Sequence, residues 1–245
     1  MEKIAVIADC HFKETEIDRA ARFSRFLENI STEVSSIYFL GDLFQVWVGI
    51  EKPMPDHIRI VAGTVALLTL RGTRTVYIEG NRDFGIGRLN AKAKIFSEVS
   101  TGSMEFSFGG VNFRLDHGDR INKEDRRYRI WRFLSKNYIA PAGIFLLPGR
   151  AALWGAKAAE KLLSRTNIEH KLLFPKEQCL LYAQGQFARG RDVVVVGHFH
   201  YNVLIPAEQG RRLFLVLEDW PSWGSYLLFD DQGKLELRQE PSAAR

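Results

Sequence analysis

The stretch Lys3-Ile4-Ala5-Val6-Ile7-Ala8-Asp9-Cys10-His11 places a short apolar run directly before a carboxylate and a histidine. A run of this length predicts a buried β-strand over Lys3–Ala8. On an extended backbone, the spacing Asp-x-His points both side chains to the same side. The first predicted strand therefore ends in two groups that are able to bind a metal ion.

Helical and strand-like patterns alternate along the rest of the N-terminal part. Glu14–Ile30 and Pro55–Leu70 carry apolar residues at helical spacing, whereas Ser36–Leu40 and Thr75–Ile78 are short apolar runs. Strands that alternate with helices are typical of an α/β sheet covered by helices. We therefore predict a sheet of this kind for the first half of the chain.

The second half changes to an antiparallel pattern. Met104–Phe108 and Val111–Leu115 flank Gly109-Gly110, and a two-residue glycine connection predicts a β-hairpin. The fold class is thus mixed α/β (α+β). Further strands are predicted at Asp192–Val196, Arg212–Leu217, Ser225–Phe229 and Leu235–Leu237.

The composition is that of a globular protein. The chain has 245 residues, of which 46% are apolar and 26% charged, enough for one large domain with an insertion or for two small ones. Met1 is followed by Glu2, Lys3 and then the first strand, so no signal segment is expected. Because only Cys10 and Cys179 occur, we expect no disulfide framework and a reducing cytosol.

A basic segment rich in aromatic residues, Ile121–Pro175, lies between the two patterns. From Arg120 to Lys176, thirteen Lys and Arg stand against four Asp and Glu, which indicates either an anionic partner or an ordinary solvated surface. Its uncharged run 137–149 contains two prolines and is shorter than the about 20 apolar residues of a membrane-spanning helix. We predict an insertion of two or three helices that could lie on a membrane surface without crossing it.

Five short polar elements each follow a predicted strand, where sites gather in α/β sheets. Any one of them has a simpler interpretation: Asp42 could cap the residues after it, and Asn81 could occupy a left-handed turn. Together, their carboxylate, imidazole and amide groups suit Mn²⁺, Fe²⁺ or Zn²⁺. We expect His57, outside the set, at the surface. The elements are Asp9-Cys10-His11, Gly41-Asp42, Gly80-Asn81-Arg82-Asp83, His117-Gly118-Asp119 and Gly197-His198-Phe199-His200.

This ordered set resembles that of the calcineurin-like metallophosphoesterases over roughly residues 3–200. The resemblance implies a four-layer αββα sandwich formed by residues 1–120 and 176–245, with residues 121–175 as a helical lid insertion. It also implies two divalent metal ions, most often Mn²⁺, that activate water for attack on phosphorus. By the resemblance, Asp9, His11 and His200 hold one ion, Asn81, His117 and His198 hold the other, and Asp42 bridges them.

Many members of that superfamily have His where this chain has Arg82. Gly80-Asn81-Arg82-Asp83-Phe84 and Gly41-Asp42-Leu43-Phe44 resemble instead the bacterial UDP-2,3-diacylglucosamine pyrophosphohydrolases of lipid A synthesis. That family cleaves a UDP-linked diacyl sugar to UMP and a sugar 1-phosphate at the cytoplasmic face of the inner membrane. The resemblance implies catalytic roles for Asn81, Arg82 and His117. It implies substrate contacts for Arg82, Asp125, Tyr128, Asn167, Lys171 and His198.

The insertion offers a physical basis for a membrane partner. If it is helical, Arg150, Lys157, Lys161 and Arg165 share one face with Trp154, which favours an anionic lipid surface. An ordinary amphipathic helix packed on the core remains the alternative. No nucleic-acid partner is expected, because no recognition motif accompanies the basic residues.

Two other functions stay open. A metallophosphoesterase for another nucleotide or phosphodiester is mildly favoured by Tyr201 and Phe199, which depart from the resembled family beside the last ligands. A non-catalytic scaffold that kept the fold is the second, although such proteins usually lose metal ligands and this chain keeps all seven.

Overall fold

A computed structural model describes residues 1–49, 54–122, 151, 174–220 and 224–240. The predicted first strand, β1, lies inside a six-stranded sheet, sheet 1, and pairs in parallel with β2 and in antiparallel with β12. The order of strands in sheet 1 is β13-β12-β1-β2-β4-β6. These strands are β1 Lys3–Ile7, β2 Ser36–Phe39, β4 Arg74–Ile78, β6 Glu98–Ser100, β12 Ser225–Asp230 and β13 Leu235–Gln239.

A second sheet of five strands, sheet 2, holds the predicted hairpin at its edge. Its order is β10-β11-β9-β8-β7, with β8, β9 and β11 parallel to one another. A separate parallel pair joins β3 Trp47–Val48 to β5 Asp83–Phe84. The strands of sheet 2 are β7 Ser103–Phe108, β8 Val111–Asp116, β9 Val193–Val196, β10 Val203–Ala207 and β11 Arg212–Val216.

Helices cover the outer faces of the two sheets. The described helices are α1 Ile17–Ile30, α2 Asp56–Leu70, α3 Ile86–Ala93 and α4 Lys176–Phe187. The first three share a hydrophobic cluster with sheet 1, and α4 shares another with sheet 2. None of the helices in the described ranges is long and apolar enough to cross a membrane.

Three apolar clusters separate four layers. On β1, Ala5 and Ile7 belong to the cluster under the helices, whereas Ile4 and Val6 belong to the cluster between the sheets. A strand buried on both faces is apolar at every position, which explains the continuous run in the sequence. The predicted αββα sandwich is confirmed. The predicted helical insertion, residues 121–175, lies almost wholly outside the described residues, as does the whole of its predicted basic stripe.

Several elements were not predicted from the sequence. Strand β6 is short and half polar, and β10 contains Pro206, which is tolerated because β10 is an edge strand. Helices α3 and α4 were also missed. The expectation for His57 was wrong: it is buried on α2, with its ring edge-on to Phe44 at 5.4 Å between ring centres. Both cysteines are buried and free, in agreement with the absence of a disulfide framework.

Candidate metal centre

The five polar elements come together where β1, β2 and β4 of sheet 1 and β8 and β9 of sheet 2 release the chain. Hydrogen bonds join the two sheets at this edge. The ring of His117 shares its Nδ1 hydrogen with the carbonyl oxygen of Leu40 at 2.6 Å, and the backbone N–H of His198 donates to Asp9 Oδ2 at 2.7 Å. Parallel strands that end side by side therefore bring distant loops into one cluster.

The first group of ligand atoms comes from Asp9, His11 and His200. Their donor atoms lie within 4.8 Å of one another. Nε2 of His11 is 3.2 Å from Nε2 of His200, and their rings stack with centres 5.0 Å apart. Two imidazole nitrogens that each lie about 2.1 Å from a shared ion are separated by about this distance. The spacing therefore fits one metal ion between the two rings.

The second group comes from Asp9, Asp42 and His117, again within 4.8 Å. Asn81 joins it, since its Oδ1 lies 2.9 Å from His117 Nε2. The ring of His198 lies edge-on to that of His117, with centres 5.1 Å apart. The structure thus brings together all seven residues that the sequence singled out as ligands. Asp9 is the residue common to both groups.

The backbone at these residues differs from the extended form that the sequence argument assumed. Asp9, His11, Asp42, His198 and His200 have positive φ, at 52°, 48°, 51°, 68° and 58°. Such conformations are costly for residues other than glycine, and they cluster at functional sites. The Asp-x-His and His-x-His pairs therefore converge through left-handed backbone. The simpler interpretations also fail, because Asn81 is not left-handed and the side chain of Asp42 accepts from another loop.

Glycines give the ligands room. Of the glycines that precede Asp42, Asn81 and His198, only Gly41 has positive φ, at +87°. Gly80 and Gly197 are needed instead because a Cβ on them would lie 2.2 Å from Asp42 Oδ1 and 2.4 Å from Asp9 Oδ2. These two backbones pack directly against carboxylates of the centre.

The electrostatics of the centre suit a cation. Burial raises the pKa of Asp9, and its Oδ1 accepts no hydrogen bond from any residue that the structure describes. Burial alone would lower the pKa of His117, but the neighbouring carboxylates of Asp42, Asp9 and Asp119 raise it to about 9. Buried charges are normally paired or coordinate metals. An oxygen without a donor, among close imidazole nitrogens, therefore fits divalent metal ions.

Arg82 lies at the edge of this cluster. Its side chain is 13% exposed, and its Nε is 3.7 Å from Asp42 Oδ2. The guanidinium is also within 3.4 Å of the carbonyl oxygen of Gln45. A planar guanidinium in this place can present its remaining N–H groups to phosphate oxygens.

Asp83 stands in one of the five polar elements, but no role was predicted for it from the sequence. It is fully buried, and its Oδ2 accepts hydrogen bonds from Tyr77 and from the backbone of two ligand-bearing loops. Burial, with the adjacent Asp83 carboxylate, raises the pKa of the Tyr77 hydroxyl well above its usual range, so it stays a donor. The only signal for Asp83 in the sequence was its place two residues after Asn81, within one of the five polar elements.

Aromatic residues form the rim beside His198 and His200. Phe174 packs against Phe199 and Tyr201, with ring centres 5.8 and 5.3 Å apart, and Tyr201 is 36% exposed. The four predicted substrate contacts in the insertion lie outside the described residues; they are Asp125, Tyr128, Asn167 and Lys171.

Comparison with known proteins identifies the family. The Calcineurin-like phosphoesterase family matches residues 2–202. A UDP-2,3-diacylglucosamine hydrolase of Pectobacterium carotovorum subsp. carotovorum is 33% identical, covering 96% of this chain and 98% of its own. A UDP-2,3-diacylglucosamine hydrolase of Edwardsiella ictaluri is 30% identical, over 96% and 92% of the two chains.

A crystal structure of a hypothetical protein from Pyrococcus horikoshii shares the fold. It has a TM-score of 0.54 at 10% identity, and the alignment covers 98% of this chain and 88% of that one. The family match includes all seven residues of the candidate centre. The chain therefore belongs to the calcineurin-like phosphoesterase family, whose members hydrolyse phosphoesters with divalent metal ions.

Proposed function

We propose that this chain hydrolyses the pyrophosphate bond of UDP-2,3-diacylglucosamine, giving UMP and 2,3-diacylglucosamine 1-phosphate in lipid A biosynthesis. The observation that carries the proposal is the pair of ligand groups that meet at Asp9 in a chain of this family. Relatives with this activity in their names match nearly the whole chain at about 30% identity. Both the centre and the overall length thus agree with such a hydrolase.

The proposed division of the metal ligands follows the family resemblance, whereas the two groups in the structure share Asp9 rather than Asp42. Asp9, His11 and His200 would hold one ion, Asn81, His117 and His198 the other, and Asp42 would lie between them. The ligand set of carboxylate, imidazole and amide suits Mn²⁺, Fe²⁺ or Zn²⁺, and we propose Mn²⁺ because the family resemblance implies it. When bound, two such ions lower the pKa of a water and polarise the phosphoryl group.

The protein's own residues would orient the substrate. Because Nδ1 of His117 donates to the Leu40 carbonyl oxygen, its Nε2 is left to face the centre. Arg82, held beside Asp42 and Gln45, would donate to the phosphoryl oxygens as negative charge develops there. Asn81, whose Oδ1 lies 2.9 Å from His117 Nε2, would bind metal beside the phosphate that Arg82 contacts. A diphosphate diester offers these groups two phosphates to bind.

We also propose a peripheral position on the cytoplasmic face of the inner membrane. The support comes from the sequence of the insertion 121–175, which is basic and apolar and would offer a surface to acyl chains and anionic lipid. Asp125, Tyr128, Asn167 and Lys171 remain proposed contacts to the sugar or phosphate. Their roles rest on sequence resemblance alone.

The test is an assay of the purified, Mn²⁺-loaded protein on a panel of diesters. We expect release of UMP from UDP-2,3-diacylglucosamine and much slower release from UDP-N-acetylglucosamine, which has a single acetyl group in place of the two long acyl chains. A His117→Asn variant should lose the activity, whereas His57→Gln, a buried histidine outside the centre, should retain it. Hydrolysis of other diesters while the diacylated substrate stays intact would assign the chain to a different phosphodiesterase.

A further inference from the structure

A buried carboxylate outside the ligand set joins the loops that follow β2 and β4. Oδ2 of Asp83 accepts hydrogen bonds from the backbone N–H of Asp42 at 3.0 Å and of Gly80 at 2.8 Å. It also accepts from the Tyr77 hydroxyl at 2.7 Å. The first amide lies in the β2 loop, and the second directly precedes Asn81 in the β4 loop. One oxygen is therefore a common acceptor for both ligand-bearing loops.

The connection is reciprocal. Asp42, whose amide donates to Asp83, accepts in turn the backbone N–H of Arg82 on its own Oδ1 at 2.9 Å. In each loop, a carboxylate thus accepts a hydrogen bond from a backbone N–H of the other loop. The short parallel pairing of Trp47–Val48 with Asp83–Phe84 connects the same two loops through backbone hydrogen bonds.

The two loops pack closely enough to restrict the position of Asp42, one of the proposed ligands. Asp42 has a left-handed backbone, and a Cβ on Gly80 would lie 2.2 Å from its Oδ1. Such strained backbone persists only where its surroundings over-determine it. Three donors on one oxygen match the charge of a carboxylate, since hydrogen bonds to an ionised acceptor are roughly twice as strong as neutral ones. A neutral amide of the same size would hold the loops less firmly.

The geometry points to Asp83 as a positioning residue that holds Asp42 and Asn81 at coordination distance by fastening their two loops together. It acts through these residues and is assigned no contact with substrate. The inference rests on the proposed role of Asp42 and Asn81 as metal ligands. It adds a residue that decides how well the centre is formed before any ion binds.

The test compares Asp83→Asn with a matched control. Asn90 also fastens a loop with its side chain, accepting from the Phe96 N–H at 2.7 Å and donating to the Phe96 carbonyl at 3.0 Å, between α3 and β6. Asn90→Ala should therefore lower the melting temperature without touching the centre. Tyr77→Phe removes a single donor to Asp83, so it keeps the test informative if Asp83→Asn does not fold.

Two readouts are measured on each protein: the affinity for Mn²⁺ by titration, and the amide hydrogen exchange of the metal-free form. For Asp83→Asn we expect about 10- to 100-fold weaker Mn²⁺ binding, and exchange about 10- to 100-fold faster at Asp42 and Gly80. Tyr77→Phe should show smaller changes in the same direction. Asn90→Ala should show neither change.

Unchanged Mn²⁺ affinity and unchanged exchange in Asp83→Asn and Tyr77→Phe would overturn the inference. So would an equal loss of affinity in Asn90→Ala, because the effect would then follow general destabilisation. If the wild-type protein binds no Mn²⁺, the proposed function fails. The exchange of Asp42 and Gly80 in the metal-free protein then still decides whether Asp83 fastens the loops.

Discussion

The contact between Gly197 and Asp9 gives a direct test of the centre. A Cβ at Gly197 would lie 2.4 Å from Asp9 Oδ2 and 3.0 Å from the Cβ of Ala8. Ordinary van der Waals contact requires about 3.5 Å, so Gly197→Ala must displace the carboxylate or the loop by about 1 Å. The backbone N–H of His198 donates to the same oxygen, so the displacement also disturbs a second proposed ligand.

The expected loss of Mn²⁺ affinity follows from the narrow range of metal–ligand distances that a metal site tolerates. Metal–ligand distances hold to within about 0.2 Å, so a shift of about 1 Å at Asp9 removes its coordination or forces the whole loop to move. We expect Mn²⁺ affinity to fall at least about 10- to 100-fold, which corresponds to about 1.4–2.8 kcal/mol. Overpacking should cost a further about 1–3 kcal/mol in the free energy of unfolding.

The assay is titration of free Mn²⁺ by electron paramagnetic resonance, with unfolding followed in parallel. Gly63→Ala on α2 is the matched control, since nothing lies within 4 Å of its added methyl group. That change should leave Mn²⁺ binding intact and stabilise the helix by up to about 1 kcal/mol. A folded Gly197→Ala protein with wild-type Mn²⁺ affinity would show that Asp9 does not coordinate the ion.

Three further predictions concern Arg82, His117 and Phe113. Arg82→Lys should slow UMP release about 100-fold while Mn²⁺ affinity stays unchanged, because an ammonium cannot replace the guanidinium fork; normal turnover would remove Arg82 from the mechanism. Since the pKa of His117 is raised to about 9, Mn²⁺ binding at pH 7.5 should release about one proton, and the affinity for Mn²⁺ should therefore fall as the pH drops. Calorimetry in buffers of different ionisation enthalpy measures the number of protons released, and His117→Asn should lose this release. Phe113→Ala should lower the free energy of unfolding by about 3–5 kcal/mol, because its ring packs between the sheets against Phe106 and Phe229 at 5.1 and 4.8 Å. Chemical denaturation measures that loss, and a cost below about 1 kcal/mol would contradict the described packing.

The clustering of the seven candidate ligands was predictable because each one follows a buried strand whose apolar pattern is visible in the sequence. What the pattern could not show is how the side chains converge: Asp9 and His11 meet through left-handed backbone, which no spacing rule encodes. Asp83 was missed because its carboxylate accepts a hydrogen bond from the backbone N–H of Asp42, which is distant in the sequence, as well as from that of nearby Gly80. His57 was misplaced although its spacing from Val61 and Val65 puts it on the buried face of α2.

Backbone strain and buried charge in the candidate centre both favour the binding of a cation. Five of the seven proposed ligands adopt left-handed backbone, and the Asp9 carboxylate is buried deeply enough to raise its pKa. Both features cost free energy on folding, and hydrogen bonds within the described residues do not satisfy Asp9 Oδ1. A cation that binds only the folded chain returns stability as its concentration exceeds the dissociation constant, by about 2.7 kcal/mol at a hundredfold excess. Folding and metal loading should therefore be coupled, and the melting temperature should rise with Mn²⁺ in the wild-type protein but far less in Gly197→Ala.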